Sequence, residues 1–112
     1  VQGRHEESAQ QLLEDAGAIE AAGAFAIVLE AMDPEVAAEI TTTLSIPTIG
    51  IGAGRECSGQ VLVISDLLGM TPHPPPKFVK QYASGLELMT EAVRHYCEDV
   101  RTGKFPEQKH EY

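Results

Sequence analysis

Five apolar residues in a row, Phe25-Ala26-Ile27-Val28-Leu29, run without a polar interruption into a carboxylate, Glu30. A run lacking polar alternation suits a strand buried on both faces, which is the condition of strands in a parallel sheet. Parallel neighbours need crossover connections, and helices are the usual ones. The flanking sequence supplies them. From about Glu7 to Ala22, Leu12, Leu13, Ala16 and Ile19 recur at helical spacing, with Glu14, Asp15 and Glu20 on the polar side and Gly23 as a stop. After the run, Asp33-Pro34-Glu35 reads as a helix start: a capping carboxylate, proline at the first helical position and an acid in the first turn. Val36, Ile40 and Leu44 carry that helix's apolar face to Pro47.

Thr48-Ile49-Gly50-Ile51 reads as a second strand, and Val61-Leu62-Val63-Ile64 as a third, with room for one helical turn between them. A proline-rich loop, Pro72 to Pro76, precedes a last helix from about Gly85 to Val100. On it Met89, Ala92, Val93, Tyr96, Cys97 and Val100 form an apolar stripe. The tail after Gly103 is polar and suits the surface or a partner. The order is that of an α/β fold with a parallel sheet. Three parallel strands with open edges would expose unpaired amides and carbonyls. The expectation is therefore a piece of a barrel, the rest of whose sheet comes from residues outside this chain. Val1-Gln2-Gly3-Arg4 reads as interior sequence in keeping with that.

Bulk properties narrow the function. A formal net charge of −9 argues against nonspecific nucleic-acid binding, which depends on neutralising phosphates, although a local field can still favour a small anion. With 43% hydrophobic and 22% charged residues the chain reads as a soluble globular protein. No apolar run approaches the roughly 20 residues that span a bilayer, so no membrane partner is expected. Cys57 and Cys97 stand far apart without ligand spacing and read as ordinary thiols. His5, His73, His95 and His110 show no pairing that suggests a metal site, and Lys77 and Lys80 read as solvated surface.

Glu30 is the sharpest chemical candidate. A carboxylate at the C-terminal end of a buried barrel strand faces the side on which barrel active sites are built. Apolar neighbours would desolvate it and make it a better proton acceptor near neutral pH. Position alone leaves open a structural role, pairing with a buried cation or capping the next helix. Asp66 has a similar placement but fits better as the N-cap of a turn at Leu67-Leu68. Gly50-Ile51-Gly52-Ala53-Gly54 lets the backbone approach a ligand, yet lacks the GxGxxG dinucleotide pattern, so these glycines are read as serving chain shape.

Several segments together resemble the ketopantoate hydroxymethyltransferase family: Val1 to Arg4, Phe25 to Glu30, Ile46 to Gly54, Ser58 to Val63, Asp66 to Gly69, Pro76 to Lys80 and Gly103 to Pro106. They fall in order over nearly the whole chain. Ala31-Met32-Asp33 and Ser65 depart from the family's usual wording. The resemblance implies a (β/α)8 TIM barrel of the phosphoenolpyruvate/pyruvate superfamily, with this chain the C-terminal part of that single domain and the N-terminal strands outside it. It implies transfer of a hydroxymethyl unit from 5,10-methylenetetrahydrofolate to 3-methyl-2-oxobutanoate, giving ketopantoate for pantothenate synthesis. It assigns Glu30 as the base that removes the C3 proton. It also implies a magnesium ion (Mg2+) whose ligands lie upstream of this chain, so no metal ligand is expected here and the chain alone should be inactive. A homo-oligomer in the cytoplasm, or in mitochondria of a eukaryote, completes the expectation. The rival readings are another carbon–carbon lyase of the same superfamily and a noncatalytic α/β interaction domain.

Overall fold

A computed structural model describes all residues, Val1–Tyr112, which divide into two units, Val1–Leu62 and Val63–Tyr112. In the first unit, helix α1 (Glu6–Ala21) leads to strand β1 (Ile27–Glu30), helix α2 (Pro34–Thr43), strand β2 (Thr48–Ile51) and the two-residue strand β3 (Gly59–Gln60). The strands form one parallel sheet in the order β1-β2-β3. Ile27 pairs with Thr48 and Glu30 with Ile51, so β1 and β2 end level with each other.

The helices form for the reasons their sequences suggest. The Asp33 carboxylate accepts a hydrogen bond from the Glu35 amide at 3.0 Å, and Pro34 occupies the first turn, where its missing N–H costs nothing. Val36, Ala37 and Ile40 turn from α2 into the core, where they meet Ala16 of α1, Leu29 of β1, Met32, Ala53 and Cys57. Glu20 ties the end of α1 to the chain before β2: one carboxylate oxygen accepts from the amides of Ser45 (2.7 Å) and Ile46 (3.1 Å). Thr48, wholly buried, satisfies its hydroxyl with Thr41 Oγ1 at 2.8 Å and the Ser58 amide at 3.1 Å.

Three expectations about strands need correction. The first strand begins at Ile27 rather than Phe25, which is 90% exposed, and it includes Glu30. Nor is it buried on both faces, for Val28 is 56% exposed and only Leu29 is fully enclosed. The third strand is Gly59–Gln60, and Val61 to Ile64 are not a strand. β2 ends at Ile51, so the ladder runs out after the Val61 amide bonds the Gly50 carbonyl at 3.0 Å. The apolar run then bends into a helical turn. The connection from β2 to β3 is loop throughout, with no helical turn.

The second unit holds a single turn α3 (Ile64–Leu67), the proline loop, helix α4 (Gly85–Thr102) and a 3-10 turn at Gln108–His110. Three backbone bonds link α3 to the start of α4: the Tyr82, Gly85 and Leu86 amides donate to the carbonyls of Leu67, Leu68 and Gly69 at 2.8, 2.7 and 2.8 Å. The α4 stripe is at the expected positions, but Met89, Val93, Tyr96 and Val100 are exposed, and Cys97 is half-buried. The tail is exposed, with Phe105 edge-on to Tyr96 at 5.7 Å between ring centres. No helix is long and apolar enough to cross a membrane.

Candidate functional site

Because the sheet is parallel, the C-terminal ends of its strands open on one side. Glu30 ends β1, and in register beside it Ile51 ends β2 and hands over to Gly52-Ala53-Gly54. The structure thus brings together the two features the sequence singles out, the carboxylate and the glycine-rich loop.

Each glycine of this stretch has a local reason. A Cβ on Gly50 would stand 2.9 Å from the buried Cys57 sulfur, so the thiol packs where a side chain would otherwise go. Gly54 has φ +84°, and a Cβ there would lie 2.8 Å from Cβ of Pro34 at the head of α2. The Gln60 side-chain amide donates to the Gly54 carbonyl at 2.8 Å and closes the loop. Close packing at Gly50 and Gly54 and a positive φ at Gly52 (+67°) give each of them a part in the chain's shape.

Glu30 itself differs from expectation. Its side chain is exposed, so the apolar enclosure expected around it is not supplied by these residues. The reason is the same as for Val28: β1 is an edge strand of the sheet, covered on one face by α1 and α2 and on the other by nothing in this unit. No salt bridge or side-chain hydrogen bond engages Glu30, and the alternative roles of ion-pair partner or helix cap find no partner here. Two surface depressions, about 400 Å3 along Glu6 to Glu14 and about 310 Å3 along Ser84 to Glu91, lie away from it. Each is an open furrow on a single helix.

Asp66 is not the N-cap it was expected to be. The turn starts earlier, at Val63, whose carbonyl takes the Asp66 and Leu67 amides at 3.0 and 2.9 Å, so Asp66 falls inside α3. Cys57 and Cys97 are free, and His95, Lys77 and Lys80 are exposed, with the Lys80 ammonium 4.9 Å above the Tyr82 ring. A feature that the sequence did not disclose follows Glu30 directly: Ala31 has φ +48°. Alanine carries no signal for such a backbone, which favours glycine, asparagine and aspartate.

Magnesium takes six oxygens, often from one or two carboxylates with water and substrate oxygens. No group of three or more His, Cys, Asp or Glu side chains gathers anywhere in the chain. These residues alone do not fit a magnesium site.

The match to known proteins extends over almost the whole chain. Residues 1–108 match the ketopantoate hydroxymethyltransferase family. The chain is 55% identical to the 3-methyl-2-oxobutanoate hydroxymethyltransferase of Pelobacter propionicus, over all 112 residues and 41% of that protein. The proteins of the same name from Streptomyces coelicolor and Geobacter metallireducens are 57% and 54% identical, over 98% and 100% of this chain and 38% and 42% of theirs. The chain therefore spans 38–42% of the length of these relatives, matching their C-terminal part. With an α/β architecture, a parallel sheet and a match over residues 1–108, the chain belongs to the ketopantoate hydroxymethyltransferase family.

Proposed function

We propose that a polypeptide carrying these residues transfers a hydroxymethyl unit from 5,10-methylenetetrahydrofolate to 3-methyl-2-oxobutanoate, with Glu30 as the base. The observation that carries this reading is the unpaired Glu30 carboxylate at the C-terminal end of β1, in a chain whose relatives bear the name of that reaction. The Glu30 carboxylate accepts the proton from C3 of the keto acid. The electron pair left on C3 forms the bond to the folate's methylene carbon. That carbon's two bonds to the folate nitrogens break, and one water supplies its hydroxyl. The remaining water proton and the proton taken by Glu30 end on the two nitrogens, so that keto acid, methylenetetrahydrofolate and water give ketopantoate and tetrahydrofolate.

In this reading the sheet belongs to a (β/α)8 barrel of the phosphoenolpyruvate/pyruvate type. Further strands beside β1 and beyond β3 cover Val28, Val61 and Val63 and enclose Glu30. Those segments also bring the magnesium ligands. The reaction is proposed to run in a homo-oligomer of the cytoplasm, or of mitochondria in a eukaryote.

The direct test follows deuterium entering C3 of 3-methyl-2-oxobutanoate in deuterated water, catalysed by the complete polypeptide. Glu30→Gln keeps the side chain's shape and removes the base, and the exchange rate is expected to fall about a hundredfold or more. Undiminished exchange would remove Glu30 from the chemistry.

A further inference from the structure

Along a regular strand side chains alternate between faces, so residues 28, 30 and 32 share one face and 29 and 31 the other. The chain keeps to this through Val28 (exposed), Leu29 (buried) and Glu30 (exposed). It then breaks step. Met32, due on the face of Glu30, is only 7% exposed and lies in the core cluster with Leu29. The break coincides with Ala31, the only residue other than glycine with a positive φ.

A residue with a Cβ adopts that backbone seldom, because the Cβ crowds the carbonyl oxygen that follows. Neighbouring segments hold Ala31 there. Its amide donates to the Ile51 carbonyl at 2.9 Å, one step past the paired ends of β1 and β2. Its carbonyl accepts from the Gln2 amide at 2.8 Å, and the Gln2 carbonyl takes the Asp33 amide at 2.8 Å, so that Gln2 bridges Met32 in parallel fashion. One alanine is thus clamped from both sides, next to the carboxylate. Strain that the surroundings over-determine in this way gathers at functional sites.

We infer that Ala31 is a positioning residue for Glu30: its left-handed backbone diverts Met32 into the core and removes the side chain that strand alternation would set beside the carboxylate. The inference rests on Glu30 acting as the base.

The test is a substitution series in the complete polypeptide, read by C3 exchange and by the kcat-against-KM split of the transfer reaction. Gly and Asn adopt left-handed backbone readily, whereas Ser does so less and the β-branched Val hardly at all. Ala31→Gly and Ala31→Asn are expected to keep kcat within about threefold, and Ala31→Val to lower it at least tenfold with KM little changed. Ala31 is half-buried, so a purely packing role would penalise the larger Asn more than Ser. Positioning demands the reverse order, and that comparison stands even if Ala31→Val does not fold. A kcat for Ala31→Ser equal to or above that of Ala31→Asn overturns the inference. Glu30→Gln is measured alongside. If it keeps full exchange, the base assignment falls and the positioning role with it. If it loses exchange while the Ala31 series stays flat, the positioning role alone falls.

Discussion

At the scale of single residues, the polar groups of the first unit show how much a few hydroxyls and carboxylates organise. Thr48 sits where β2 begins, and its hydroxyl joins α2, through Thr41, to the chain before β3, through Ser58. A buried hydroxyl needs such partners, since an unmade bond there costs more than a made one gains. Thr48→Val preserves the shape and leaves the Ser58 amide without its acceptor. Ser58 is exposed and water can reach it, which places the expected cost towards the lower end, about 1–2 kcal/mol. Denaturant unfolding of the variant against the parent measures it, and an unchanged midpoint would contradict a stabilising role for the network. Glu30 is the opposite case, a carboxylate to which no such partner is given.

At the scale of elements, α2 and α4 differ in what covers them. α2 buries Val36, Ala37 and Ile40 against β1 and α1, so its apolar face is fully used within the unit. α4 carries an equally regular stripe with no buried residue. The cover proposed for it comes from the rest of the barrel and from neighbouring subunits. Burying a side chain of valine's size is worth roughly 1.5–3 kcal/mol, and placing a carboxylate there reverses the sign. Val93→Asp in the complete protein is therefore expected to shift the oligomer towards smaller species or aggregates. Light scattering checks this: a monomeric parent, or a variant with unaltered mass and thermal stability, would refute it.

At the scale of the whole molecule, a three-stranded parallel sheet with both edges unpaired is an incomplete use of its own hydrogen-bonding groups. The chain covers 41% of the Pelobacter propionicus relative, and the active enzyme is proposed to need the remainder. The 112 residues alone should therefore give no C3 exchange above the buffer rate, while a fusion behind the N-terminal portion of that relative should restore it. Exchange by the chain alone would show that the proposed magnesium ligands and enclosing strands are dispensable. The local codes were legible in the sequence: the Asp33-Pro34 helix start, the apolar face of α2 and, apart from the exposed Ile19, that of α1, and Glu30 at a strand end all follow from residue type and spacing. They act within a few residues and depend on no distant partner. Strand extent was a different matter, because apolar runs such as Phe25–Leu29 and Val61–Ile64 become strand only where a neighbouring strand offers carbonyls and amides. The exposure of Glu30 and the left-handed turn at Ala31 were likewise decided by tertiary structure. The first depends on which segments cover an edge, and the second on bonds from Ile51 and Gln2, which approach Ala31 only once the chain has folded.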